Sequence, residues 1–164
     1  MNDNYAVING KKIELTEKQI KALGFEARKN PFERVANGNV YYRVTEYGNI
    51  DEFIERSDLT DSNLYSNVNY FNDDSVAQQV ALHQLLYRKL LKYSYDNEFE
   101  DEEWNGTNMH AYIIYNFTRK NYDIRWTRNE KEPGTVYFKT PTRATAALNE
   151  VVMPFVKEHP EFVW

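Results

Sequence analysis

A strict alternation of apolar and polar side chains in the last third of the chain constrains its fold most. Tyr122, Ile124 and Trp126 are separated by polar residues, and this period of two is typical of a strand with one face in water. The stretch before it, residues 111–117, is rich in aromatic and β-branched residues, which favour strands. Residues 119–121 lie between the two and suit a turn. The sequence therefore predicts an antiparallel hairpin here.

Two helices are predicted from the spacing of apolar residues. The first covers residues 74–95 and carries a broad apolar face, as expected of a central helix that is covered on more than one side. That face contains Val76, Val80, His83, Tyr87, Leu90 and Leu91. The second covers residues 141–158 with a narrower apolar stripe. Its Pro154 removes one backbone hydrogen bond, so we expect the last turn to be kinked or loosened.

An order of hairpin, Tyr-Phe pair and helix occurs twice. Tyr70-Phe71 precedes the first helix as Tyr137-Phe138 precedes the second, and each pair follows a hairpin-like stretch, which indicates a possible ββα repeat. We predict a single α+β domain over residues 1–164, with antiparallel hairpins packed on the long central helix and the C-terminal helix. Its expected parts are an N-terminal hairpin-helix unit (1–30), a first ββα half (38–96), an acidic connector (97–108) and a second ββα half (109–164).

The N-terminal unit has the clearest local signals. Residues 5–8 and 11–15 flank Asn9-Gly10, and Asn-Gly is the preferred pair for the type I′ turn of a hairpin. Thr16 and Gln19 then fit a capping box at the start of a short helix.

The first half is less regular. Residues 40–47 predict a strand, and residues 50–54 fit either a short strand or a helical turn. Residues 58–69 are rich in Asp, Ser and Asn and predict a loop.

Composition excludes several classes of chemistry. Cysteine is absent, which excludes disulfides, thiolate catalysis and cysteine-ligated metals. The first residues lack the basic and apolar regions of a secretory signal, and no apolar run is long enough to span a membrane. We therefore expect a soluble cytoplasmic protein that has no membrane partner.

Catalytic and metal-binding motifs are also missing. The three histidines, His83, His110 and His159, lie in no HxH or HExxH pattern, so a metal site is not expected. The six glycines form no phosphate-binding loop, and no serine nucleophile elbow occurs. We expect no enzyme activity, no cofactor and no metal.

An acidic run in the connector is one candidate partner-binding site. It consists of Glu98, Glu100, Asp101, Glu102 and Glu103, with Trp104 as an aromatic anchor. Spaced carboxylates can imitate a phosphate backbone and occupy a basic nucleic-acid channel on another protein. The alternative is a solvated loop that Phe99 and Trp104 pin to the body.

The hairpin of residues 111–128 is the alternative candidate. It carries Arg119, Lys120, Arg125 and Arg128 among aromatic residues, as do sheet surfaces that stack bases. Its aromatic residues equally suit a core beneath the helices. The net charge of -5 and the pI of 5.3 argue against direct nucleic-acid binding.

Several stretches of the chain share a family resemblance. Residues 7–11, 15–19, 134–138 and 152–164, with Asn69-Tyr70-Phe71, resemble small accessory proteins of phages and mobile elements of low-GC Gram-positive bacteria. Some phage accessory proteins of this size inhibit host defences, including RNA-guided CRISPR nucleases, by stoichiometric binding. The resemblance therefore implies an anti-defence role, but it carries over no site residues.

Together these observations predict a non-enzymatic phage inhibitor of a host defence complex, with a CRISPR effector nuclease as the expected target and the acidic connector as the expected interface. The alternative function is a nucleic-acid-binding accessory protein that uses the basic hairpin. A third is a scaffold or assembly protein, for which an exposed apolar face would be the distinguishing feature.

Overall fold

The computed structural model describes residues 5–8, 11–22, 30–100 and 104–164. It confirms the α+β class, with three two-stranded antiparallel sheets, β1–β2, β3–β4 and β5–β6. The elements are β1 (Tyr5–Ile8), β2 (Lys11–Glu14), α1 (Glu17–Ala22), β3 (Val40–Val44), β4 (Ile50–Ile54), α2 (Leu59–Ser66), α3 (Asp74–Asp96), β5 (His110–Asn116), β6 (Asn121–Thr127), α4 (Pro141–Ala147), a π-helical turn (Leu148–Val152) and α5 (Met153–Glu158). None of the helices in these ranges is long and apolar enough to cross a membrane.

The N-terminal hairpin and helix are present as predicted. Strands β1 and β2 pair antiparallel, and the Asn9-Gly10 turn predicted between them lies outside the described residues. The Thr16 N–H donates to Oε1 of Gln19 at 2.9 Å, and the Gln19 N–H donates to Oγ1 of Thr16 at 3.4 Å. These reciprocal bonds confirm the capping box at the start of α1.

Both ββα halves contain the same local arrangement. In the first half, Tyr42 of β3 forms an antiparallel bridge with Phe71, which lies just before α3. In the second half, Ala111 of β5 forms the same kind of bridge with Phe138, just before α4. Each bridge has two backbone hydrogen bonds of 2.7 and 2.9 Å. Each Tyr-Phe pair thus contributes a single bridge to the hairpin of its own half.

Helix α2 corrects the prediction of a loop over residues 58–69. Asp58 caps the helix by accepting the Asp61 N–H at 3.0 Å, and Asp61 accepts the Asp58 N–H at 3.2 Å. The buried Asp61 carboxylate also accepts the Tyr41 hydroxyl at 2.7 Å. Tertiary contact therefore favours a helix that the polar composition obscures.

Helix α3 contributes to the cores of both halves. Its buried residues are Ala77, Ala81, Leu82, Leu86, Leu90 and Ser94. The two alanines pack with Val44 and Phe71 of the first half, whereas the three leucines belong to the core of the second half. The predicted apolar face is wrong at His83 and Tyr87, which are exposed, because small alanines on a neighbouring face admit the first hairpin instead.

The C-terminal helix runs from Pro141 to Glu158 through a wide turn in its middle. The Met153 N–H donates to the carbonyl of Leu148, five residues earlier, which defines the π-helical turn. Pro154 follows directly and has no N–H to donate. The sequence predicts a disturbed last turn, but the disturbance lies before Pro154, as the π-helical turn Leu148–Val152, and α5 continues to Glu158.

Candidate partner-binding groove

A groove among the described residues lies beside β5 and has a volume of about 650 Å³. It is bounded by α3, the strand β5, the turn before Val136 and the C-terminal segment 162–164. Its lining includes the buried side chains Leu86, Leu90, Ile113, Val136 and Phe138. A largely apolar groove of this size is typical of a site for a ligand or a partner side chain.

Large aromatic side chains line the rim of this groove. Phe117, just after β5, is 68% exposed, and Tyr87 on α3 is 40% exposed. The Phe117 ring contacts the Tyr115 ring edge-on at a centroid distance of 5.1 Å. These rings keep apolar surface in water, which is costly unless another surface covers it.

The C-terminal wall of the groove is fastened by one amide side chain. Gln79 of α3 donates from Nε2 to the Glu161 carbonyl at 2.8 Å and accepts the Val163 N–H at 3.0 Å. Phe162 is thereby held against Phe155, with ring centroids 5.3 Å apart. The wall is thus tied to α3 by directed hydrogen bonds as well as by apolar packing.

Two charged residues of opposite sign line the groove. Arg88 of α3 is exposed and has no acidic partner in the part of the chain that the structure describes. Glu132 lies before the turn, and its charge, together with the larger effect of burial, raises the pKa of Tyr112. The groove therefore carries a cation on α3, Arg88, and a carboxylate before the turn, Glu132, beside its apolar surface.

The acidic connector is only partly described. Glu98 and Glu100 are exposed, whereas Asp101, Glu102 and Glu103 lie outside the described residues. Glu98 has a φ of 68° and its N–H donates to the Tyr95 carbonyl. The next N–H, of Phe99, donates to the Ser94 carbonyl, so the end of α3 is a Schellman motif. The position of Glu98 is thus set by the end of the helix.

The aromatic residues of the connector pack on the body. Trp104 stacks on the His110 ring at a centroid distance of 4.0 Å, and the buried Phe99 lies edge-on to His110 at 5.8 Å. His110 is 1% exposed, and neither of its ring nitrogens has a hydrogen-bond partner within the described ranges. Phe99 and Trp104 therefore have intramolecular roles, and Trp104 presents less free surface than the sequence suggested.

The basic residues of the second hairpin lie on its surface. All four are exposed: Arg119, Lys120, Arg125 and Arg128. Arg119 forms an ion pair with Asp123, and the Arg128 guanidinium lies 5.8 Å from the Trp126 ring centroid. Arg125 and Trp126 are consecutive residues of β6, so their side chains point to opposite faces. The structure thus divides these residues between two faces of the hairpin.

A buried ionic network in the first half was not predicted. Glu55 is 1% exposed and accepts two hydrogen bonds from the Arg34 guanidinium, at 2.9 and 3.1 Å, and one from the Tyr70 hydroxyl at 2.7 Å. The Arg34 guanidinium holds the pKa of Glu55 below its ordinary value, against the opposing effect of burial. Burial, and then the bond to Glu55, raise the pKa of Tyr70 to about 12.

Asp61 completes this network beside Glu55. Burial alone would raise its pKa, but hydrogen bonds from the Arg56 N–H and the Tyr41 hydroxyl lower it below its ordinary value. The Tyr41 and Tyr70 rings stack at a centroid distance of 3.9 Å. Both carboxylates are thus fully hydrogen-bonded, which is the pattern of a structural network.

Sequence reasoning missed the groove because its parts are far apart in the chain. Tyr87 and Phe117 each fit an ordinary apolar pattern, and only the fold brings them to one rim. One feature of the sequence could have indicated exposed aromatic surface: the hairpin of residues 111–128 has more aromatic residues than one buried face can hold. Among the described residues, no group of three or more His, Asp or Glu side chains is arranged to hold a metal ion.

Comparison of the chain with protein-family models, with curated proteins and with solved structures gave no match.

Proposed function

We propose that the protein is a non-enzymatic binding protein that captures a partner protein, in a fixed stoichiometry, in its aromatic groove. One observation carries this proposal: Tyr87 and Phe117 expose large apolar rings at the rim of a groove of about 650 Å³. Aromatic side chains beside an apolar pocket are the residues that dominate the free energy of protein–protein association. Covering each ring contributes about 1.5–3 kcal/mol.

The partner class comes from the resemblance to phage accessory proteins. It is a host defence complex, with a CRISPR effector nuclease as the first target to test. Glu98 and Glu100 are exposed and supply carboxylates that would meet a basic surface of such a nuclease. In this proposal the groove provides most of the affinity, and the acidic connector adds charge complementarity.

The test is capture of a partner followed by quantitative binding. The tagged full chain is mixed with a nuclease-treated lysate of a low-GC Gram-positive bacterium, and the captured protein is then purified and titrated by calorimetry. The double variant Tyr87→Ala, Phe117→Ala is expected to bind about 100-fold more weakly, because two rings lose their buried contacts. Tyr47→Ala is the matched control, since Tyr47 is an exposed tyrosine (83%) outside the groove.

Three results would change the proposal. Unaltered affinity of the double variant would remove the groove as the site. Loss of binding only when Glu98, Glu100, Asp101, Glu102 and Glu103 are replaced by Lys would transfer the site to the acidic connector. Undiminished DNA cleavage by a CRISPR effector nuclease in excess protein would remove that nuclease as the target.

A second candidate function has one specific observation in its favour. Trp126 is 56% exposed and has the Arg128 guanidinium beside its ring, a combination that stacks on single-stranded nucleic acid. This alternative predicts that a fluorescent single-stranded oligonucleotide binds, that Trp126→Ala abolishes binding, and that affinity falls steeply with salt. Absence of binding at low salt would eliminate it.

A further inference from the structure

One edge of β5 has unused hydrogen-bonding groups beside the groove. Ala111 and Phe138 exchange two backbone hydrogen bonds, so the N–H and C=O of Ala111 point away from β6. Alternate residues of a strand direct these groups to the same edge, which places those of Ile113 and Tyr115 there too. Neither residue has a hydrogen-bond partner on that side in the described part of the chain. We call these groups of Ile113 and Tyr115 the open edge.

The chain itself turns away before it can cover the open edge. Thr135 donates its N–H to the Glu132 carbonyl at 3.3 Å, and Gly134 has a φ of 77°. With Pro133 ahead of Gly134, these are the features of a type II turn. Val136 follows directly and faces the groove with an aliphatic side chain, which can neither donate nor accept. A gap is therefore left between β5 and this turn.

The first half closes the equivalent edge. Asn69 stands two residues before its bridging phenylalanine, as Val136 does in the second half. The Asn69 side chain accepts the Val44 N–H at 2.9 Å and donates to the Val44 carbonyl at 2.8 Å. Val44 occupies the position that Ile113 has in β5, two residues after the bridge. A side-chain amide thus closes this edge in the first half, whereas the corresponding residue of the second half is Val136.

The open edge and the groove together specify the chemistry of an occupant. Free backbone groups select an extended segment, because only a strand presents its own N–H and C=O groups at matching intervals. The apolar lining selects apolar side chains at alternate positions of that segment. The unpaired Arg88 at the wall selects an acidic side chain beside them by charge complementarity.

We infer that the captured partner adds a strand to β5. An extended, proline-free segment of the partner pairs with Ile113 and Tyr115, places alternate apolar side chains in the groove and directs an acidic side chain to Arg88. This inference rests on the proposed function and names the mode of binding at the same groove.

The first test uses synthetic peptides and the unaltered full chain. One probe alternates valine with threonine and carries glutamate at one end; a second is the same peptide with N-methylated amides at the pairing positions. The first is expected to slow hydrogen exchange of the Ile113 and Tyr115 amides, as read by NMR. The N-methylated probe is expected to bind at least about tenfold more weakly, because each lost hydrogen bond removes a factor of roughly five and more than one is lost. Equal binding by both probes, or by neither, overturns the inference.

The second test closes the open edge with a side chain of the protein itself. Val136→Asn places an amide where Asn69 stands in the first half, so it should protect the Ile113 amide from exchange and reduce capture of the partner protein at least about tenfold. Val40→Asn is the matched control, since Val40 lies in the other half and away from the groove.

The outcomes separate the two proposals. Suppose that Val136→Asn protects the Ile113 amide from exchange and still captures the partner normally, and that the double variant Tyr87→Ala, Phe117→Ala fails to capture it. Strand addition is then wrong, and the groove remains the binding site. If all of these variants capture the partner normally, both proposals fail. The peptide experiment decides the question if Val136→Asn does not fold.

Discussion

The two halves of the molecule share a hairpin, a β-bridge and a helix, but the side chains of their cores and strand edges differ in polarity. The first half buries Glu55 and Asp61 in a hydrogen-bonded network and closes its strand edge with Asn69. The second half has an apolar core, an open edge and a groove. One backbone arrangement therefore carries a hydrogen-bonded ionic network in one half and an apolar groove beside an open strand edge in the other. The proposed function accordingly uses the second half.

The largest expected effect comes from breaking the network of the first half. Glu55→Ala leaves the Tyr70 hydroxyl and the Ser57 N–H without their acceptor, and we expect a loss of about 3 kcal/mol in the free energy of unfolding. Urea denaturation measures it. Glu52→Ala is the control, because Glu52 lies three residues earlier on β4 and is exposed, so it should change stability by less than about 0.5 kcal/mol.

The same network predicts a response to acid. The pKa values of Glu55 and Asp61 are lowered in the folded protein, so their contribution to stability is present above their unfolded values near pH 4 and is lost as the pH falls through the folded values. Urea denaturation between about pH 7 and pH 3 should therefore show a shallower acid decline for Glu55→Ala than for the unaltered chain. Identical slopes would contradict the lowered pKa of Glu55.

The next effect concerns the closed edge of the first half. Asn69→Val copies the second half at this position and leaves both backbone groups of Val44 unpaired, so we expect a loss of about 2 kcal/mol. Hydrogen exchange of the Val44 amide should accelerate in parallel. Asn63→Val, at an exposed position of α2, tests whether the residue type alone is responsible. Slow exchange of Val44 in Asn69→Val would show that Asn69 does not close the edge.

A smaller effect of opposite sign is expected in the second half. His110 is buried with two unpartnered ring nitrogens among the described residues, and such groups are destabilising. His110→Phe keeps an aromatic ring against Trp104 and should raise the free energy of unfolding by about 1 kcal/mol. Thermal denaturation with His110→Ala as a cavity control measures the change. A loss of stability in His110→Phe would show that the imidazole nitrogens are hydrogen-bonded in solution.

The smallest effect concerns the residue that places Asn69. Val68 follows α2 with a φ of 56°, a strained conformation for a β-branched residue. Val68→Gly should stabilise the protein by about 0.5 kcal/mol, the relief of strain being partly offset by the entropy of glycine in the unfolded chain. Val163→Gly, at an exposed position without a positive φ, should not stabilise. Equal effects of the two changes would show that Val68 is not strained.

Local signals allowed much of the fold to be predicted from the sequence. The alternation around Ile124 gave β6, and the Thr16–Gln19 pair gave the cap of α1. Helix α2 could not be predicted in this way, because it depends on the contact of Asp61 with Tyr41, twenty residues away in the chain. Local composition carries no record of such a contact.

The candidate site was less accessible to sequence reasoning. The groove forms where Tyr87, Phe117 and the C-terminal segment come together in space. The periodicity of apolar residues does not predict this proximity. The difference between Asn69 and Val136 was visible in the aligned Tyr-Phe pairs of the repeat. The structural role of this difference depends on the two bridges, which place both residues at the same kind of strand edge.

The sharing of α3 between the two cores has a consequence for how the molecule melts. Repeated units can lose their structure one at a time when each contacts only its neighbour. Here Ala77 and Ala81 belong to one core and Leu86 and Leu90 to the other, on a single uninterrupted helix. If α3 unfolds in one half, the core of the other half loses the helix against which it packs. Calorimetry should therefore find one cooperative unfolding transition whose van't Hoff and calorimetric enthalpies agree.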